Sequence, residues 1–258
     1  VRIVVKLGGS LLESPDERRR LAGELALVSR DTQMVVVHGG GKQMTRFLRE
    51  RGVESRFVEG LRVTTPEVVD AVLKVFAGTV NHELVAAFVA AGADAVGLTG
   101  IDAALTEAEP LRADLGAVGK VVRSNPKLLE LLTTRGYLPV VACVAGDRAG
   151  NIYNVNADQM AVACAAAFGT EKLFFLTDVD GVKGKDGLLA VLTPSLCRKL
   201  IEEGIVTGGM QAKLNAASEG LSSGIKEVAI VPGARPGVVG ALLSGCAAGT
   251  RLVPEGAA

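Results

Sequence analysis

The chain has 258 residues, enough for one large core or two lobes. Its 28 basic and 28 acidic residues cancel and no charged tail stands out, which argues against an electrostatic nucleic-acid binder. Apolar residues make up 48% and charged ones 22%, a soluble globular balance, and the 32 glycines lack the period of a collagen-like fibre.

In chain order, "RIVVKL" is a β-branched strand followed by glycines and the helical stretch "SPDERRRLAGELALVSR". "QMVVVH" is a second strand, and "KQMTRFLRERG" a helix ending at Gly52. "TPEVVDAVLKVFAG" carries a capping Thr65, Pro66 at the first helical position and Gly78 as a stop. "NHELVAAFVAAG" reads as a helix and "DAVGLTG" as a strand. From Ile101 to Arg123 the pattern is irregular and predicts short strands or hairpins. "NPKLLELLTTRG" is a helix, "YLPVVACVAG" a strand, "NADQMAVACAAAFG" a helix and "KLFFLTDV" a strand. The remainder reads as the helices "TPSLCRKLIEEG" and "GMQAKLNAASEGLSSG", the strand "EVAIVPG" and a last small helix. Strands spaced by helices of this length predict an α/β protein with a central, mainly parallel sheet covered on both faces. A lobe boundary is expected near Gly169.

The cysteines Cys143, Cys164, Cys197 and Cys246 are far apart and only two His accompany them, which favours reduced thiols over disulfides or zinc. No apolar run is expected to reach the length of a membrane span, and the first strand begins at once without a secretory leader. These readings predict a cytoplasmic protein with no membrane partner.

Ligands of open α/β sheets bind beyond the carboxyl ends of the strands. Two glycine clusters fall there, "KLGGS" (Lys6 to Ser10) and "HGGGK" (His38 to Lys42), each leading into a helix whose free N–H groups suit an anion. Either alone is as readily a tight turn. Neither GxxxxGK[ST] nor a strand-linked GxGxxG occurs, so P-loop and dinucleotide-binding readings fall away. Lys6 closes an apolar strand, and is either a snorkelling lysine or a phosphate partner. Arg62 in "GLRVT" is either a surface ion pair or a fork for a carboxylate. "NVNADQM" places Asn154, Asn156 and Asp158 before an Ala-rich helix, and one of them serves as its cap. "TDVDGV" is a nucleotide contact or an Asp-Gly turn. "TGGMQAK" opens a helix with Lys213 about one turn inside.

Taken in order, these segments resemble the amino acid kinase family, and within it the branch that phosphorylates N-acetylglutamate. "KLGGSLL", "VVHGGG", "GLRVT", "AGTVN", "GYLPVV", "NVNADQ", "LTDVDGV" and "TGGMQAK" carry the likeness from Lys6 to Lys213. Aspartokinases begin "KFGGTS" and bacterial uridylate kinases "KLSG". Isopentenyl phosphate kinases share "KLGGS" but continue their glycine triplet into Ser-Phe-Gly-His. The nearest competitor is the carrier-protein-dependent aminoadipate kinase, which lacks "GLRVT".

The resemblance implies a three-layer α/β/α fold in two lobes: residues 1–169 for the amino-acid substrate and dimer contact, 170–258 for the nucleotide. It implies transfer of phosphate from ATP, with Mg²⁺, to the side-chain carboxylate of N-acetyl-L-glutamate. The alternatives are an aminoadipate derivative or N-succinylglutamate as substrate, or a silent amino-acid or nucleotide sensor. By the resemblance Lys6 and Lys213 stabilise the transferred group and Asp158 holds both ammonium groups. Gly9, Gly40 and Gly41 supply N–H donors or room, and Arg62 and Asn154 grip the acceptor. Gly8, Gly9, Thr177, Asp178, Val179, Asp180, Gly181, Gly208, Gly209 and Met210 hold the nucleotide, with no dedicated protein cage for the metal. A strand at the very start implies the arginine-insensitive, homodimeric type. Val68, Val69, Val72, Val75 and Phe76 are either dimer contact or core. Lys42 is not expected to hold phosphate, nor His38 to act as a base.

Overall fold

The computed structural model describes residues 1–257. The chain begins with β1 (Arg2–Leu7), a short 3₁₀ turn and α1 (Pro15–Ser29), then β2 (Gln33–His38) and α2 (Gly41–Glu50). The hairpin β3 (Phe57–Val58) and β4 (Leu61–Arg62) leads to α3 (Pro66–Val72) and, through a π-helical stretch, to α4 (Asn81–Ala90). Next come β5 (Ala95–Thr99), β6 (Thr106–Pro110), β7 (Val118–Ser124), α5 (Lys127–Thr134), β8 (Leu138–Ala142), β9 (Val144–Gly146) and β10 (Ile152–Val155). The remaining elements are α6 (Ala157–Phe168), β11 (Lys172–Thr177), β12 (Lys183–Gly184), β13 (Gly187–Leu188), β14 (Val191–Leu192), α7 (Pro194–Glu202), α8 (Gly208–Ser222), β15 (Glu227–Pro232), α9 (Val238–Leu243) and β16 (Thr250–Leu252).

Eight strands form one sheet in the order β14-β16-β15-β11-β1-β2-β8-β5, parallel except for β15 against β16. Its centre is β1, whose residues from Ile3 to Leu7 are all buried, which is why both faces of "RIVVKL" are apolar up to Lys6. The steps from β1 to β2 and on to β5 run one way across the sheet. Those from β5 through β8 and β11 to β15 run the other way. Right-handed crossovers therefore place α1 and α4 on one face and α5, α6 and α8 on the opposite face. Between β1 and β11 the direction reverses, and such a reversal opens a crevice at the carboxyl ends of the strands. A second sheet, β10-β7-β6-β9, closes into a small barrel beside the first.

Start signals behave as their chemistry dictates. Thr65 accepts a hydrogen bond from the Val68 amide at 3.4 Å with Pro66 next to it, and Asn156 caps α6 by accepting from the amides of Asp158 and Gln159. Gly169, left-handed at φ 67°, ends α6.

Three expectations need correction. Gly78 does not stop a helix: the π-helical stretch Leu73–Val80 carries the chain on, making one helical rod from Pro66 to Ala90. That rod is long and apolar enough, at 25 residues, to cross a membrane, contrary to the expectation that no apolar run would reach this length. It packs against α1, α2 and β5. Within it Val68, Val72, Val75 and Phe76 are buried inside this chain, as core residues. Finally, "YLPVVACVAG" is two strands, because the chain leaves the large sheet at Cys143 and enters the barrel as β9.

Candidate active site

Register brings the site together. Leu7 is level with His38 on β2 and with Leu176 on β11, so Lys6, the glycines after β1 and β2, and Thr177 all end at one edge of the sheet. The Gly8 amide donates to the Leu176 carbonyl at 2.9 Å, and a Cβ at Gly8 would stand only 3.1 Å from that oxygen. The two glycine clusters touch: a Cβ on Gly9 would lie 3.3 Å from the Gly41 nitrogen. A Cβ on Gly40 would meet the Phe76 ring at 2.9 Å and Val80 at 3.2 Å. Gly8, Gly9 and Gly40 are thus held to glycine by close packing at the crevice, whereas a side chain at Gly41 would meet open space, and α2 begins there with the free N–H groups of its first turn.

Asp158 sits in the first turn of α6, which lies over β1, and Lys213 projects from α8, which packs on α6. The Lys6 ammonium is 2.7 Å from one Asp158 oxygen, an ion pair approaching off the hydrogen-bond direction. Lys213 donates to the other oxygen at 2.8 Å and lies 5.4 Å from the centre of the Phe175 ring. All three side chains are about nine-tenths buried. Burial alone would raise the Asp158 carboxyl, but Lys6 and then Lys213 outweigh it and hold it at about 2. Lys213 is lowered, first by burial and then by repulsion from Lys6. Two cations on one anion leave one surplus positive charge in a poorly solvated crevice, the electrostatics of an anion site.

Arg62 is buried yet has no carboxylate partner among the described residues, and burial lowers its pKa. Its guanidinium donates to the Ser55 hydroxyl, to the Gly41 carbonyl at 3.1 Å and to the Thr45 hydroxyl at 2.7 Å, with Phe57 stacked at 4.6 Å. Asn154 donates to the Thr64 hydroxyl at 3.1 Å, and Thr64 in turn donates to the Arg62 carbonyl. Of the three polar residues before α6, Asn156 is the cap, while Asn154 and Asp158 are free of that duty.

Thr177, Asp178, Val179, Asp180 and Gly181 follow β11 directly. Asp178 stays ionised: burial would raise it, but hydrogen bonds, the first from the Ser10 hydroxyl, lower it. Gly181 at φ 145° leaves no room for a side chain, since a Cβ would lie 2.7 Å from the Thr250 hydroxyl. Gly208, Gly209 and Met210 form the first turn of α8, the helix that carries Lys213.

Neither His38 nor Cys143 is set up as a base. His38 is fully buried, with Nδ1 against the Gly39 carbonyl at 2.8 Å and Nε2 against the Asn81 amide at 2.9 Å, and burial takes it down to about 4. Cys143, close enough to feel Lys6 and Asp158, is pushed up to about 12 by burial and remains a thiol. Lys42 is exposed and paired with Glu13 at 2.8 Å. Reading the sequence alone missed Thr45, Ser55 and Thr64, which orient Arg62 and Asn154. It also missed Gln43, buried in the first turn of α2 with neither amide atom hydrogen-bonded among the described residues. Only Thr45 carried a local signal, lying one helical turn after Gly41.

A doubly covered parallel sheet with a cationic crevice at its carboxyl edge defines an anion-handling α/β protein. The pattern of the amino acid kinase family matches residues 1–232, and the chain belongs to that family. It is 60% identical over 255 residues to an acetylglutamate kinase of Solibacter usitatus (strain Ellin6076), spanning 98% of this chain and 99% of that one. The acetylglutamate kinase of Acidobacterium capsulatum is 44% identical over 236 residues, covering 90% of this chain and 91% of its own. Among solved structures, smu.665 from Streptococcus mutans UA159 superposes with a TM-score of 0.84 at 26% identity, over 98% of both chains. N-acetylglutamate synthase from Neisseria gonorrhoeae gives 0.87 at 24% identity, over 98% of this chain and 59% of that one, a likeness of fold.

Proposed function

We propose that this chain transfers the γ-phosphoryl group of ATP to the side-chain carboxylate of N-acetyl-L-glutamate, giving ADP and N-acetyl-L-glutamyl 5-phosphate. One observation carries the reading: two buried lysines share a single carboxylate, while the buried Arg62 has none among the described residues. The first surplus suits a polyphosphate and the second a substrate carboxylate. The relatives named acetylglutamate kinase support the same reaction.

The nucleophile is a carboxylate, already ionised near neutral pH, so no side chain has to remove a proton. Its oxygen forms the new bond to the γ-phosphorus as the bond to the β–γ bridging oxygen breaks. The work left to the protein is to align two anions and screen their charge. Lys6 and Lys213 do the screening, and Asp158 fixes their positions. Backbone N–H groups at Gly9, Gly40 and Gly41 face the transferred group. Arg62 and Asn154 hold the α-carboxylate end of the acceptor, and Thr177 to Gly181, Gly208 to Met210 and Gly8 hold the nucleotide. Among the described residues no three His, Cys, Asp or Glu side chains converge to hold a metal. Mg²⁺ carried on the ATP phosphates would shield their charge.

We read residues 1–169 as the acceptor lobe and those from 170 onward as the nucleotide lobe. The strands support this division, since each part supplies one contiguous half of the large sheet. We place the enzyme in the cytoplasm as a homodimer built through the Pro66–Ala90 rod. Four free thiols suit a reducing compartment, and Val89 is exposed on the rod.

The test is ADP release and acyl-phosphate formation from ATP and N-acetyl-L-glutamate. Lys213→Ala is expected to lower kcat by roughly 100-fold or more while changing the ATP KM less than about tenfold. An unchanged kcat would remove Lys213 from the transfer step.

A further inference from the structure

Thr64 ties together Arg62 and Asn154, the two side chains assigned to the acceptor. It is 1% exposed, and backbone bonds on both sides set its place. Its amide donates to the Leu115 carbonyl at 2.9 Å, and its carbonyl accepts from the Ala117 amide at 2.8 Å. The Ala117 carbonyl accepts in turn from the Asn154 amide at 2.9 Å, so Thr64 and Asn154 flank one stretch of chain. That stretch lies so close that a Cβ on Gly116 would run into the Thr64 carbonyl oxygen.

On this frame each hydroxyl and amide proton has one place to go. A threonine hydroxyl donates a single proton and otherwise accepts. The Arg62 carbonyl, 2.9 Å from the Thr64 hydroxyl, can only accept, so it takes that proton. Thr64 then has nothing to give Asn154, 3.1 Å away, and the Asn154 side chain must turn its NH₂ group toward the hydroxyl. The opposite orientation would set two oxygens against each other with no proton between them. The side-chain oxygen of Asn154 is therefore directed elsewhere. Nothing among the described residues donates to it, and it is not among the sealed-off polar atoms, which leaves it open to a ligand.

Resting on the acceptor reading above, we propose that Thr64 is a positioning residue that sets specificity for the acylated amine. By spending its proton on Arg62, it commits Asn154 to offer an acceptor, so the acceptor molecule has to bring an N–H. An N-acyl glutamate does so. The O-acyl analogue, with an ester oxygen in place of the N–H, brings lone pairs and is repelled by the Asn154 oxygen. The same hydroxyl holds the Arg62 backbone, so the groups that meet the α-carboxylate and the acylated amine are registered through one atom. The reacting carboxylate and the bonds made and broken are unchanged.

The experiment measures kcat and KM for N-acetyl-L-glutamate and for 2-acetoxyglutarate, its ester isostere, at saturating MgATP. It is run on the parent, Thr64→Val and Thr64→Ser. The parent is expected to favour the amide by about 100-fold in kcat/KM. Thr64→Val frees the Asn154 amide to turn over, and should cut that ratio by about tenfold, mainly through the two acceptor KM values, with the ATP KM unmoved. Thr64→Ser keeps the hydroxyl and should hold the ratio within about threefold of the parent. A parent that uses the ester within about threefold of the amide would overturn the assignment, and needs no variant to fold. A folded Thr64→Val with the parental ratio would overturn it too, as would a Thr64→Ser that behaves like the valine variant. A parent inactive even with N-acetyl-L-glutamate would instead strike down the phosphoryl-transfer reading itself.

Discussion

Asp158→Asn keeps the size of the side chain and removes the charge between Lys6 and Lys213, which lie 2.7 and 2.8 Å from its two oxygens. Without the carboxylate, two ammonium groups roughly 6 Å apart repel by about 3 kcal/mol at an effective dielectric constant near 20. Breaking a buried ion pair from one side costs about 3–5 kcal/mol by mutational precedent, the same event described differently. The two figures agree and are not added. Against a total stability of roughly 5–15 kcal/mol this is a large loss. In a chain of this length it corresponds to a fall in Tm of about 10 °C. Pyrophosphate, which can take the place of the missing negative charge, should restore the variant more than it stabilises the parent. ATP should bind no more weakly, because the surplus positive charge has grown, while kcat falls about 100-fold as the lysines lose their common anchor. Thermal unfolding with and without pyrophosphate, together with initial rates, checks each part. A Tm within about 2 °C of the parent, with kcat within about tenfold, would refute the account of Asp158 as the holder of two cations.

The acid limb of stability follows from the same group. Asp158 is held at about 2 against an ordinary 3.8, so its contribution is fully present above about pH 4 and is lost as pH falls toward 2. Urea unfolding should show about 2 kcal/mol disappearing across that window in the parent, and that component missing in Asp158→Asn. Arg62→Lys keeps a cation but loses the fork, and should raise the acceptor KM about 10- to 100-fold with the ATP KM nearly unchanged. An unmoved acceptor KM would take Arg62 out of the acceptor site. Ala103 and Ala104 sit at φ 51° and 50°, which glycine adopts without strain. Changing both to Gly should stabilise the fold by about 1 kcal/mol, the relief of left-handed strain exceeding the entropy that glycine adds to the unfolded chain. A lower Tm for the double variant would show that the two methyl groups are held by packing.

How much was legible differs by element for physical reasons. The strands β1, β2, β11 and β15 are buried on both faces, and their continuous apolar runs identify them without knowledge of partners. The cap at Thr65 is local chemistry and was legible for the same reason, while the cap of α6 was narrowed only to Asn154, Asn156 or Asp158, of which Asn156 serves. By contrast β12, β13 and β14 have two residues each, too few for a period, and exist only through pairing. Gly78 reads as a stop, but the contacts that Phe76, Val80 and Asn81 make with Gly40 and His38 keep the helix running past it. At the site, Lys6 and Asp158 were conspicuous because a strand end and a helix start are unusual places for charge beside glycines. The holders of Arg62 were not, since Thr45 is 17 residues away and Ser55 lies in an irregular segment.

The site's charges also suit a reaction that needs no base. Lys6, Asp158 and Lys213 together carry one positive charge, and Arg62 carries another on separate elements. Beside them His38 is neutral at about 4 and committed on both nitrogens, and Cys143 is a thiol up to about 12, so neither is set up to remove a proton. A reaction between a carboxylate and a phosphoryl group needs no such step, and gains from two fixed cationic centres with neutral surroundings. Gly9 and Gly40 let the two strand ends meet closely, and in the proposed reaction backbone N–H groups, rather than side chains, would then line the place where the two anions meet.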